Sequence, residues 1–140
     1  MKTAVIGGGS WGTALASVLA NKGPVRQWAR DPAVVAGINR DNRNPKYQSD
    51  IALDSTISAT ESLSEAVQGA ELVCVVVPSH AMRSVMGGLA DAIPPGVPIV
   101  SASKGIENQS LETMEEVLTA VMPRANRADL AFLSGPSFAR

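Results

Sequence analysis

Residues 1–12 read M-K-T-A-V-I-G-G-G-S-W-G, a short apolar strand running straight into glycines at positions 7, 9 and 12. Three glycines at that spacing, between a strand and a helix, build the pyrophosphate seat of a dinucleotide-binding fold. Gly7 is read as the tight turn out of the strand, Gly9 as the point where backbone approaches the pyrophosphate, and Gly12 as the position that lets the helix pack close to the sheet. The N–H groups that open the helix, with its dipole behind them, then face the negative charge. The pattern alone is weakly specific, so its flanks decide. Thr3-Ala4-Val5-Ile6 is a buried-strand run, and residues 13–20 (T-A-L-A-S-V-L-A) are small and apolar enough for a helix pressed on a sheet. A glycine-rich surface turn is the weaker alternative. Ser10 and Trp11 bring unusual bulk into this loop, and the tryptophan reads as a plug under the helix, a wall of the cofactor cleft, or both.

Working outward, strand-like and helix-like segments alternate. Strands are expected at 25–28, 56–59, 72–77, 98–103 and 130–133. Helices are expected at 32–38, opened by Asp31-Pro32, around Leu63, Ala66 and Val67 behind a Ser62/Glu65 capping box, at 79–92 with Ser79 as cap, and at 111–121. Residues 41–54 form the longest loop. The βαβα order predicts a doubly wound parallel sheet of the Rossmann type filling residues 1–140. Its C-terminal end comes soon after the last strand, which reads as the first domain of a longer enzyme; a complete small protein is the competing reading.

Composition narrows the partners. The chain has 140 residues, 45% of them hydrophobic, and a net charge of −1, which argues against nucleic acid or an anionic membrane surface. One cysteine and one histidine leave no disulfide framework and no ordinary His/Cys zinc site. The apolar runs are too short to span a bilayer, and the N-terminus enters a strand at once, so an intracellular protein with no leader is expected.

Several residues carry candidate chemistry. At the tip of the second strand an acid would bind the ribose hydroxyls of NAD, whereas an arginine accommodates the extra phosphate of NADP. Arg30 stands there, favouring NADP(H) with NAD(H) possible, while Asp31 is read as the cap of the next helix. Lys104 follows V-S-A-S at the carboxyl end of a strand, where open α/β sheets bind ligands. A lysine entering that crevice is expected to be poorly solvated and to need an anion or carbonyl, with Gly105 permitting close backbone approach. Ser134-Gly135-Pro136-Ser137 suits hydrogen bonding to a small polar substrate, and an ordinary turn fits equally. His80 is read as a helix-surface residue and Cys74 as a buried small hydrophobe.

Taken in order, G-G-G-S-W-G-T-A-L-A, W-A-R-D, N-P-K-Y, V-V-P-S-H-A-M-R, S-K-G-I-E and S-G-P-S-F-A-R resemble the bacterial NAD(P)-dependent glycerol-3-phosphate dehydrogenases over the whole chain. The resemblance implies a cytoplasmic, homodimeric enzyme that reduces dihydroxyacetone phosphate to sn-glycerol 3-phosphate for glycerophospholipid synthesis. It implies cofactor contacts at Ser10, Trp11, Arg30, Tyr47, Lys104 and Ala139, and substrate contacts at Lys104, Gly135 and Ser137. It places the general acid in a helical C-terminal domain, so this chain is expected to bind cofactor without appreciable turnover. One departure concerns Tyr47: family members continue N-P-x-Y with Leu-Pro-Gly, and here Gln48-Ser49-Asp50 follows. Another Rossmann reductase of a small keto or hydroxy acid, and a non-catalytic nucleotide-binding module, are the alternatives.

Overall fold

The central strands are buried on consecutive residues, so apolar side chains leave both faces of one sheet, and helices cover each face. The computed structural model describes residues 1–123, 125 and 127–133. Strands β1 (Thr3–Ile6), β2 (Val25–Trp28), β3 (Ile57–Thr60), β4 (Leu72–Val75), β5 (Ile99–Ser101) and β6 (Leu130–Phe132) form a sheet of order β3-β2-β1-β4-β5-β6. Every pairing is parallel. Helices α1 (Ser10–Leu19), α2 (Pro32–Asp41), α3 (Leu63–Val67), α4 (Ser79–Gly87) and α5 (Met114–Val121) connect them. The strand order reverses between β1 and β4, and at such a switch point the carboxyl ends of the strands diverge and leave a crevice.

The two faces of β1 and β4 feed two separate cores. Val5 and Cys74 point to α1 and α2, where Ala16, Val34 and Ile38 are buried. Ala4, Ile6, Val73 and Val75 point the other way, to Met82 and Met86 of α4 and Val117 and Leu118 of α5. Cys74 sits in this apolar setting as expected, and burial pushes its thiol up to about 11.

Element order follows the sequence reading, and the boundaries differ for local reasons. Helix α1 starts at Ser10 rather than residue 13, because Gly9 is extended and serves as the N-cap. Strand β4 stops at Val75 although the apolar run continues to Val77. The Val77 N–H there donates to the Ser103 hydroxyl instead of a ladder carbonyl, at 3.1 Å. Ser79 does not cap α4; it is the first helical residue, Pro78 is the N-cap, and no side chain caps that end. Helix α4 ends at the Gly87-Gly88 pair, with only turn-type bonds reaching residues 89–93. Helix α5 starts at Met114, not residue 111, since Thr113 and Glu116 form a reciprocal capping box and Leu111 takes a positive φ of 60°. At α3 only half of the expected box forms. The Ser62 hydroxyl accepts from the Glu65 N–H, while the Glu65 carboxylate accepts from the Thr60 hydroxyl.

Candidate functional site

The glycine loop is shaped by what its neighbours leave no room for. Gly7 has φ +144°, and a Cβ there would strike the Val76 carbonyl; a Cβ on Gly12 would strike the carbonyl of Gly7. Gly8 is equally confined, since its Cβ would lie 2.6 Å from that of Ala29. Gly9 differs: a Cβ there meets nothing within 4 Å. Gly7, Gly8 and Gly12 therefore serve packing, and Gly9 faces open space. The first intrahelical bond runs from the Thr13 N–H to the Gly9 carbonyl at 2.9 Å, so the N–H groups of Ser10, Trp11 and Gly12 have no helical carbonyl to meet.

Beneath this loop lies a buried polar cluster. The Gln27 amide donates to the Gly7 carbonyl at 2.8 Å and to the Thr13 hydroxyl at 3.3 Å. The Asn44 amide donates to the Gly8 carbonyl at 3.0 Å and to the same hydroxyl at 2.9 Å. The Asn44 side-chain oxygen accepts from the N–H groups of Lys46 and Tyr47, each at 3.1 Å. Thr13, Gln27 and Asn44 are all fully buried. Such a network in a low-dielectric setting locks the geometry it serves. None of the three was singled out from sequence. A polar Gln27 inside the apolar-facing side of a strand was the available signal; Asn44 offered none beyond its place before Pro45.

The crevice outside β1 and β4 opens to about 730 Å³, within the range of small-ligand and cofactor sites. Gly7, Gly9, Ser10, Trp11, Gly12, Arg30, Tyr47 and Lys104 all line it. Gly135, Ser137 and Ala139 lie outside the described residues. Trp11 is 47% exposed, so it is a wall of the cleft and not a plug under the helix. Tyr47 reaches the cleft despite the Gln48-Ser49-Asp50 continuation. His80 is exposed in the first turn of α4, as expected for a helix-surface residue, and stands at the cleft wall.

Lys104 departs from expectation. It reaches the cleft but is exposed rather than poorly solvated, because β5 ends at Ser101 and the chain leaves the sheet before residue 104. No protein atom crowds Gly105, since a Cβ there would stay 3.7 Å from the Ser79 hydroxyl. Its positive φ of 92° is what the turn requires. The loop beyond is tied back by charge. Arg83 of α4 donates to the Glu107 carboxylate from Nε and Nη2 at 3.0–3.1 Å and also pairs with Glu112 through Nη2. The Arg83 guanidinium, followed by the Ser110 hydroxyl, holds the Glu107 carboxyl below its ordinary range.

At the opposite end of the cleft, Asp31 caps α2 as expected, accepting from the Ala33 N–H at 2.8 Å. It also pairs with Lys46, and these two partners lower its carboxyl, Lys46 contributing most. Among the described residues no group of three or more metal-ligating side chains occurs, and no helix is long and apolar enough to cross a membrane.

Comparison with known proteins agrees with this geometry. The family model described as NAD-dependent glycerol-3-phosphate dehydrogenase N-terminus matches residues 2–140. Glycerol-3-phosphate dehydrogenase [NAD(P)+] of Nitratidesulfovibrio vulgaris (strain DP4) is 49% identical over 99% of the chain. The enzyme of the same name from Myxococcus xanthus (strain DK1622) is 48% identical over all of it. In both cases the chain spans 42% of the relative's length. The crystal structure of glycerol-3-phosphate dehydrogenase from Coxiella burnetii superposes with a TM-score of 0.86 at 31% identity, covering 98% of this chain and 41% of that one. The fold, the cleft and the match over nearly every residue lead to one assignment: this chain belongs to the NAD-dependent glycerol-3-phosphate dehydrogenase N-terminal family.

Proposed function

We propose that this chain is the dinucleotide-binding domain of an enzyme that reduces dihydroxyacetone phosphate to sn-glycerol 3-phosphate, reversibly. The observation that carries the reading is the convergence of the glycine loop, Arg30 and Lys104 on one cleft at the switch point of the sheet. The residues fit the nucleotide: Gly9 leaves room for close backbone approach, and the free N–H groups opening α1 suit a pyrophosphate. When bound, the reduced nicotinamide supplies the hydride. The chain's own residues hold and orient. Ser10, Trp11, Arg30 and Tyr47, which line the cleft, would contact the nucleotide, and Ala139, outside the described residues, would join them. Lys104 would steady the substrate carbonyl and the nicotinamide, and Gly135 and Ser137, outside the described residues, would hold the substrate.

The alkoxide that forms needs a positioned acid. We assign that acid to the part of the relatives' length that this chain does not span, so the chain binds nucleotide with little turnover. NADP(H) is the preferred cofactor, because an arginine rather than a free acid stands at the tip of β2. The whole enzyme acts on a small molecule, as a cytoplasmic homodimer without a nucleic-acid partner; the net charge of −1 supports the last point.

Both tryptophans of the chain, Trp11 and Trp28, line the cleft, so their fluorescence reports occupancy. Titration with NADPH and NADH in parallel is expected to show tighter binding of NADPH, with the difference narrowing on Arg30→Ala. Equal affinities would remove Arg30 from the site. Saturable binding of neither nucleotide would overturn the reading.

A further inference from the structure

The tip of β2 places opposite charges side by side, Arg30 and Asp31, about 20 residues beyond the glycines. An acid at that distance in this fold accepts a hydrogen bond from the ribose 2′-hydroxyl, and its charge repels a 2′-phosphate. On sequence position alone, Asp31 therefore opposes Arg30. The structure shows why it need not. One carboxylate oxygen, Oδ1, accepts from the Ala33 N–H at 2.8 Å and caps α2. The other, Oδ2, is held by the Lys46 ammonium. Both oxygens are thus engaged.

Lys46 is brought to Asp31 from across the longest loop. Its N–H donates to the buried Asn44 side chain, which is itself anchored to the Gly8 carbonyl and the Thr13 hydroxyl. Arg30, Asp31 and Lys46 all line the same cleft. We propose that Lys46 is a specificity-determining residue: by holding the Asp31 carboxylate it cancels the charge that would turn away a 2′-phosphate and leaves Arg30 to receive it. This rests on the dinucleotide reading of the cleft and adds to it the source of the cofactor preference.

The test is a set of dissociation constants for NADPH and NADH, measured on the 140-residue chain at low ionic strength, because Lys46 is 54% exposed and salt screens such a pair. The variants are Lys46→Gln, Lys46→Arg, Asp31→Asn and Asp31→Asn/Lys46→Gln. Asparagine caps helices as well as aspartate, so Asp31→Asn removes the charge and keeps the cap. Lys46→Gln is expected to lower the NADPH-to-NADH affinity ratio about fivefold, the effect of one unit charge at contact distance in water. Lys46→Arg retains the ratio. In the Asp31→Asn background Lys46→Gln leaves the ratio unchanged, since there is no carboxylate left to mask. An equal loss for both nucleotides would overturn the proposal while leaving the dinucleotide reading intact. The same fivefold change in the Asp31→Asn background would also overturn it, by making Lys46 a direct phosphate contact. Failure of the unmodified chain to bind either nucleotide would remove the dinucleotide reading itself, and this proposal with it.

Discussion

The two ends of the cleft are built by opposite means. At the glycine end, three fully buried polar side chains (Thr13, Gln27 and Asn44) bond to one another and to the carbonyls of Gly7 and Gly8. At the Lys104 end, the loop is tied to α4 by Arg83, Glu107 and Glu112, with Arg83 41% exposed. Neutral bonds out of water hold a backbone in one shape at any salt concentration. Ion pairs that are partly exposed, as Arg83 with Glu107 and Glu112 are, hold it less firmly and weaken with screening. The glycine end is therefore expected to keep its shape as salt is added, and the Lys104 end to loosen.

The largest effect expected within this contrast separates two glycines three residues apart. Gly12→Ala drives a methyl group into the Gly7 carbonyl and is expected to cost about 3 kcal/mol of unfolding free energy. Gly9→Ala meets no such wall, and changing this N-cap glycine to alanine costs about 1 kcal/mol or less. It is nevertheless expected to abolish dinucleotide affinity by filling the approach. Urea unfolding and nucleotide titration of both variants check this; a Gly9→Ala protein that binds normally would move the nucleotide away from the loop.

Next in size is Asn44→Ala. It strands the Gly8 carbonyl and the N–H groups of Lys46 and Tyr47, and about 2 kcal/mol of stability should go with them. Because these bonds are neutral, the loss should be the same at low and high salt in calorimetry. A loss that shrinks with added salt would erase the proposed difference between the two ends.

The smallest effect belongs to Arg83→Ala. Global stability should hardly change, while amide exchange across residues 105–113 quickens, as it should in the unmodified protein at high salt. Acid should act on the same tether. The carboxyl of Glu107 is lowered from its ordinary value of 4.5 in the folded state, so its contribution is complete above that value and fades as pH falls through the lowered one. A carboxyl titration followed by NMR should show Glu107 returning toward 4.5 in Arg83→Ala. An unchanged titration would mean that the fork with Arg83 does not persist in solution.

Much of this architecture was open to reading because its signals are local. A strand-to-helix glycine pattern, apolar runs of the right length and cap residues such as Asp31 act within a few residues of where they stand. At the start of α5 the local signal misleads, since Leu111 looks like a helical apolar residue yet lies outside the helix. The Thr113/Glu116 box, which begins two positions later, decides the boundary. Its place after a strand puts Lys104 at the cleft but does not fix its solvation, because exposure depends on where the sheet ends and what lies over it.

By itself, the sequence determined the alternation of strands and helices, the glycine loop between β1 and α1, and the placing of Arg30 and Lys104 at one sheet edge. Hydrogen-bond periodicity, side-chain period and the steric freedom of glycine are all short-range properties. Only the tertiary structure decided that Asn44 would reach back to Gly8, that Gln27 would hold Gly7, and that Lys46 would occupy Asp31. Those pairings cross separate elements, and they form only where packing of helices on the twisted sheet brings the partners within bonding distance.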